Sequence, residues 1–344
     1  MDRQFASPLA VSLTILLTLK PIENMSGLFR LSGLGRALYL LYYRPVGWAR
    51  SLFAHGGPWT RRKTLEGQRA MEAAVPHLPP PEISANTVPL TVHLLTGTRF
   101  WYQTAFCLHS FSTQSGRPLA PVIYDDGSLT APQRDQLARL FPSTRFVARA
   151  ESNEKLERLL PYSRFPVLRE RWDNYPNLRK LTDPHLGAKG WKLVMDSDLL
   201  FFRKPDLLTA WADSPSKPLH AVDVANAYGY SDALLASLCE APLPQRLNVG
   251  LCGLRSEDID WEKIEFFSRT LIAAERTNYY LEQALVAVLL AGRECTVANA
   301  ADYLTLPQLP EALSCEAIMH HYVADSKRWY FQHNWRRCVP TPSA

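Results

Sequence analysis

The run Leu193-Val194-Met195-Asp196-Ser197-Asp198-Leu199-Leu200-Phe201-Phe202 is the most telling in the chain. Its apolar flanks predict a buried strand. Side chains alternate along a strand, so Asp196 and Asp198 are expected on one face with Ser197 on the other. Two carboxylates that close repel each other and are costly to desolvate. A divalent cation relieves both problems. Hard Mg²⁺ or Mn²⁺ takes oxygen ligands and bridges readily to phosphates. The bland alternative is a strand end with two solvated aspartates. Asp-x-Asp is common in sequences, and it is the apolar flanks that favour the metal.

Beyond this run, the pattern from Val88 onward alternates strand and helix, which predicts an α/β layered domain. Strands are expected at Val88 to Thr96, Leu119 to Tyr124, Thr144 to Ala148, Lys192 to Phe202 and His220 to Val224. Helices are expected at Phe100 to Ser112, Thr130 to Leu140 and Asn278 to Ala291. Thr130 and Gln133 have capping-box spacing, and Gly292 stops the last helix. Pro76 to Pro89, with Pro79-Pro80-Pro81, reads as an extended linker. The expected organisation is therefore an extension over residues 1–75, a linker over 76–87, the α/β domain over 88–335 and a tail over 336–344.

The extension carries no acidic residue between Asn24 and Thr64, but seven cations: Arg30, Arg36, Arg44, Arg50, Arg61, Arg62 and Lys63. Apolar residues such as Leu34, Leu38, Tyr42 and Trp48 are interleaved with them. A basic amphipathic segment of this kind can lie on an anionic membrane surface. The competing reading is a helix packed on the α/β domain with its arginines in water. Leu9 to Leu19 is too short to span a bilayer and lacks a clear cleavage site; a start at Met25 is the bland alternative. The net charge of +5 comes with no nucleic-acid-binding motif, so no nucleic acid is expected. Six scattered cysteines, with no CxxC pair, predict free thiols and a reducing, cytoplasmic setting, peripheral on the inner face of a membrane if the extension binds there.

Near the C-terminus stands Met319-His320-His321-Tyr322-Val323-Ala324-Asp325-Ser326-Lys327-Arg328-Trp329. An imidazole can complete a metal site begun by carboxylates, and a nearby ammonium can face a diphosphate. Read in isolation, the segment is equally a surface histidine pair beside a basic turn. With these residues in place, the chain resembles the glycosyltransferases of the GT-A fold, most closely family 8, the glycogenin-like and lipopolysaccharide-sugar transferases. That family carries a strand-borne Asp-x-Asp followed by His-x5-Lys-x-Trp, matched here by His321, Lys327 and Trp329. An upstream lysine matches Lys180, and Asn-x-Gly matches Asn248-Val249-Gly250. An acidic-Gln pair matches Glu282-Gln283, and a loop after the first strand matches Leu95-Thr96-Gly97. The sequence departs from the family in having Glu at position 282 and Arg at 328. Asp125-Asp126-Gly127-Ser128 looks more like the base-binding loop of family 2.

The resemblance implies a Rossmann-like mixed sheet flanked by helices and a nucleotide-sugar donor, UDP-linked by preference. It implies a metal, Mn²⁺ or Mg²⁺, on Asp196, Asp198 and His321. Donor contacts fall to Thr96, Asp125, Asp126, Lys180, Asn248 and Lys327, and catalysis to Glu282 and Gln283. The acceptor, a glycan, lipid or protein, is not legible. The residues also have plainer readings. Asp-Gly at 126–127 is turn chemistry, and a carboxylate such as Glu282 in a first helical turn is favoured by the helix dipole. An Asp-x-Asp strand could also serve a HAD-type phosphatase. Leu200, where Thr or Val is wanted, disfavours that reading. A nucleotidyltransferase would want a Gly-rich basic loop that Leu95 to Arg99 does not provide. A non-catalytic nucleotide-sugar binder is the third alternative.

Overall fold

The computed structural model describes residues 57–81, 83 and 87–339. Most of the basic extension, including the Leu9 to Leu19 run, therefore lies outside the described residues, as do positions 340–344 of the tail. The chain divides into two compact units, Met1–Arg61 and Arg62–Ala344, and all the described strands belong to the second. In chain order β1 is Leu90–Thr96, β2 Leu119–Asp125, β3 Arg145–Val147, β4 Trp191–Met195 and β5 Leu199–Phe201. They are followed by β6 Leu219–Val222, β7 Leu247–Arg255, β8 Thr296–Ala298, β9 Tyr303–Thr305 and β10 Met319–His321.

Among the described residues, a seven-stranded mixed sheet has the order β3-β2-β1-β4-β7-β6-β8, and a three-stranded sheet the order β5-β10-β9. β1, β2, β3 and β4 run parallel, while β7 is antiparallel to both β4 and β6. Helices cover both faces of the large sheet, so its strands read as near-continuous apolar runs. Val92, Leu94, Leu193, Met195 and Leu251 enter one hydrophobic cluster. Val249, Cys252 and Leu254 enter another, with the helices Trp261–Glu275 and Leu281–Leu289. The helix Trp101–Ser115 is buried from Trp101 through Ser112, its polar members Gln103, Thr104, His109, Ser110 and Ser112 included. Phe111 packs on Phe201 of the small sheet with ring centroids 4.8 Å apart. The expected capping box of Thr130 and Gln133 is present.

One element differs from the sequence reading in a way that matters. Residues 192–202 are not a single strand. The chain leaves the large sheet after Met195, turns through Asp196-Ser197-Asp198 and enters the small sheet at Leu199. The apolar run is continuous because both halves are buried, β4 in one sheet and β5 in the other. The two aspartates thus sit on a turn at a sheet exit, and strand alternation is not what brings them together.

The polyproline stretch continues the packing. Met71, Val75 and Leu78 are fully buried in the main cluster, and Arg139 donates to the carbonyls of Leu78 and Val75. Within the helix Gly57–Ala74, Gly67 lies so close to Phe331 that an added Cβ would stand 2.1 Å from the Phe331 carbonyl oxygen. For residues 62–74 the packed-helix reading therefore holds, with Arg62 and Lys63 in solvent. All six cysteines are free thiols. Among the described residues no helix is long and apolar enough to cross a membrane.

Two buried histidines set an acid limit on this fold. Burial, reinforced by the nearby cations, lowers His93 and His185 from 6.5 to about 3. The unfolded chain takes up these protons near pH 6.5 and the folded chain only near pH 3. Their contribution to stability is complete above pH 6.5 and falls by about 1.4 kcal/mol per pH unit per histidine below it. Urea unfolding midpoints should drop from pH 7 to pH 5, and His185→Gln should flatten that slope. An unchanged slope in the variant would contradict the assignment.

Candidate metal centre and its charged neighbours

The turn after β4 is fixed from three sides. The amide of Asp196 donates to the Gly250 carbonyl on β7 at 2.8 Å. The thiol of Cys107 lies 3.5 Å from the Asp196 carbonyl oxygen. β10 pairs antiparallel with β5 so that His321 is opposite Leu199. These pairings bring the His321 ring to the turn. Its Nε2 is 3.6 Å from Asp196 Oδ2 and 3.4 Å from Asp198 Oδ1. One ligand atom from each of Asp196, Asp198 and His321 lies within 4.8 Å of the others.

That donor set suits a divalent cation. Two carboxylate oxygens and one imidazole nitrogen are the mixed hard and borderline ligands that Mg²⁺ or Mn²⁺ accepts. Both His321 ring nitrogens are buried with no hydrogen-bond partner, and such orphaned buried groups ask for a ligand. The carboxylates lie at ion-pairing distance from the imidazole, too far for strong hydrogen bonds. Without a cation, the ring itself supplies positive charge. Burial opposes its protonation, but the two carboxylates outweigh burial and raise His321 to about 9. A metal must displace that proton.

Two lysines and a glutamate extend the cluster. Lys180 stands on the buried helix Leu178–His185, and its Nζ lies 2.8 Å from Asp196 Oδ1 and 3.1 Å from Glu282 Oε2. Lys327 begins the helix Lys327–Gln332, its Nζ 3.0 Å from Asp198 Oδ2. Burial would raise both aspartates, yet Lys180 with His321 at Asp196, and Lys327 with His321 at Asp198, together outweigh it and hold both carboxyls low. Glu282 goes the other way. Burial, with Asp196 adding to it against Lys180, lifts its carboxyl to about 7. Lys327 is the most open of these groups, its side chain 36% exposed.

The remaining candidates divide. Asn248 is buried; its amide donates to Asp223 at 2.8 Å and its oxygen accepts from the Gly250 amide at 2.9 Å. Gln283 donates to the same Asp223 carboxylate oxygen at 3.3 Å and to the Ala227 carbonyl at 2.8 Å. Thr96 faces inward, its hydroxyl 2.9 Å from that of Thr104. Asp125 is buried. Its Oδ1 takes the amides of Gly127, Ser128 and Leu129, and its Oδ2 meets Arg134. It is the clamp of its own loop. Asp126, beside it, is part-exposed and accepts from Ser128. Gly97 touches it closely: a Cβ there would stand 2.0 Å from Asp126 Oδ2.

Four contributing residues were not singled out from sequence. Asp223 ties Asn248 to Gln283; it ends a strand, where α/β folds place ligands, and that signal was available. Arg179 and Asp183 form a fully buried ion pair at 2.8 Å beside Lys180, and their i,i+4 spacing was legible. Tyr175 accepts from the Glu282 amide at 3.3 Å and donates to the Tyr279 carbonyl; no sequence pattern announced it.

No family model matches the chain, and no curated protein matches it. Among solved structures it is similar to the galactosyltransferase LgtC in complex with donor and acceptor sugar analogs. That likeness has 11% identity over 74% of this chain and 98% of that one, with a TM-score of 0.50. Mouse xyloside xylosyltransferase 1, in its apo form, aligns at 10% identity over 70% of this chain and 99% of its own, with a TM-score of 0.48. The fold expected from sequence is the fold found: a GT-A type mixed sheet flanked by helices.

Gly250 tests the geometry of the centre. A Cβ at this position would lie 2.2 Å from His321 Cε1 and 2.7 Å from Nδ1. The ring is walled in and cannot simply step aside. Gly250→Ala should displace His321 at a cost of about 1–3 kcal/mol of stability. Calorimetric Mn²⁺ titration should then show at least about tenfold weaker binding, by analogy with lost metal-site support. Unaltered Mn²⁺ affinity in a folded Gly250→Ala protein would remove His321 from the ligand set.

Proposed function

We propose that this chain is a metal-dependent glycosyltransferase, closest in type to family 8, which moves a sugar from a nucleotide-diphosphate donor to a glycan, lipid or protein acceptor. UDP is the preferred nucleotide. One observation carries the reading: Asp196, Asp198 and His321 converge within 4.8 Å while Lys180, Lys327 and Glu282 stand directly against them.

Charge explains why this array suits a diphosphate. With the imidazole neutral and Glu282 ionised, three carboxylates against two ammoniums leave one negative charge. Asp196, Asp198 and His321 would hold Mn²⁺ or Mg²⁺, which would supply Lewis-acid charge against a diphosphate. Lys327, open to solvent on one side, is the residue to meet that diphosphate, while Lys180 stays behind Asp196 and orients it. Pre-positioned charge of this kind favours the state in which the bond from sugar carbon to diphosphate oxygen is breaking. Glu282, held near neutrality, can accept the acceptor hydroxyl proton or stabilise positive charge on the sugar carbon. We assign to Asp126, the part-exposed member of its pair, the hydrogen bond from a base N–H. Asn248 and Gln283 act through Asp223 by fixing the backbone of Gly250.

The deciding experiment is a binding screen of nucleotide-sugars with Mn²⁺ and with EDTA. UDP-sugars should bind only with metal, and Asp198→Ala should lose that binding while keeping its cooperative unfolding transition. If nothing binds, or if EDTA makes no difference, the reading fails. Binding without turnover on any acceptor would leave a nucleotide-sugar binder in its place. Once turnover is established, Glu282→Gln should lower kcat by about 10²-fold or more while changing the donor KM little. A wild-type kcat in that variant would remove Glu282 from the chemistry.

A further inference from the structure

A second recess, of about 180 Å³, opens beside strands β1 to β4 and the helices Arg149–Leu159 and Leu178–His185. It shares no lining residue with the metal cluster. Three cations face it, Arg145, Lys155 and Lys192, together with Glu151 and Asp183. The carboxylates are already committed. Glu151 pairs with Arg145 at 2.7 Å. Asp183 has Arg179 at 2.8 Å on one oxygen and the Trp172 indole N–H at 2.7 Å on the other.

The two lysines are left over. Lys155 Nζ reaches only the Asp183 carbonyl, at 3.5 Å, and Lys192 Nζ donates to the Lys189 carbonyl at 2.7 Å. Among the described residues neither ammonium has a carboxylate within 4.0 Å. Burial lowers the pKa of both. Burial also keeps His93, which lines the same recess, neutral. Two half-buried positive charges without counterions are unfavourable by themselves. Charge-assisted hydrogen bonds to an anion would relieve them.

We propose that this recess is an anion site for a phosphate group, held by Lys155 and Lys192, with Arg145 at its rim. The volume equals that of roughly six water molecules. It admits inorganic phosphate or the phosphate of a small ester, and is too small for a nucleoside diphosphate. The site stands independently of the glycosyl-transfer reading.

The full chain should be titrated calorimetrically with inorganic phosphate and, separately, with glycerol phosphate, at constant ionic strength held with chloride. Wild type should bind at least one of them; the tighter partner identifies a free anion or a phosphate ester as the source. Lys155→Gln and Lys192→Gln should each weaken binding at least tenfold. Lys327→Gln, at the metal cluster, should leave it within threefold of wild type. In phosphate-free buffer both recess variants should melt at or above the wild-type temperature, because each removes an uncompensated charge. Should a Gln variant fail to fold, Lys155→Arg keeps the charge and should retain binding. The proposal is overturned if neither anion binds, if both recess variants bind as wild type does, if Lys155→Arg abolishes binding, or if Lys327→Gln abolishes it.

Discussion

The row Glu282, Lys180, Asp196, His321, Asp198, Lys327 is the constraint around which the α/β unit is organised. Its members are contributed by two long-separated helices, one turn, one short strand and one C-terminal helix. Each charge is adjacent to one of opposite sign. Taken singly, the buried Glu282 and the part-buried Asp196 and Asp198 would each carry a desolvation penalty. As a row they share it, and removing one strands its neighbours. The two lysines cannot complete the balance. With the imidazole neutral and Glu282 ionised, one negative charge remains, and a cation that displaces the His321 proton would balance it.

Holding such a row requires backbone that does not yield. Gly250 gives way to the His321 ring, and its carbonyl at the same time accepts the Asp196 amide. Asn248 clamps the Gly250 amide, and Asp223 clamps Asn248 and Gln283 together. On the far side, Gly67 lets its helix press against Phe331, about one helical turn along from Lys327. Trp101 and Tyr102 are tied to the same helix through Glu72 and Gln68. A segment that reads in sequence as an extension ahead of the α/β domain thus braces the helix that carries Lys327.

Much of this was legible from the residues and some was not. The apolar flanks of Asp196 and Asp198 announced burial, and the alternation from Val88 announced an α/β unit, because both depend on local hydrophobic pattern. The break between β4 and β5 was invisible for the same reason: two strands buried in different sheets read as one apolar run. Lys180 could be named only by resemblance, since nothing in its own helix says which way an ammonium points. Asp125 and Asp126 were indistinguishable on paper. The fold separates them by burial, committing one to the loop amides and leaving the other part-exposed. Pro79 to Pro81 suggested a spacer, yet Leu78 beside them is buried, because extended backbone can pack as well as bridge.

The buried pair of Arg179 and Asp183 links the two charged regions of the molecule. Arg179 donates to the Asp125 carbonyl at the end of β2, and it stacks over Trp172 at 4.7 Å. Those contacts lock the helix Leu178–His185 in rotation, and Lys180, the next residue, is thereby aimed at Asp196 and Glu282. The same pairing consumes the Asp183 carboxylate that would otherwise neutralise Lys155. One ion pair therefore does two things: it orients a lysine at the metal cluster, and it leaves a different lysine without a counterion in the recess. A structural salt bridge that is buried gains little net stability from Coulomb attraction alone. Its consequence here lies in the charges it leaves exposed to other partners on either side of one short helix.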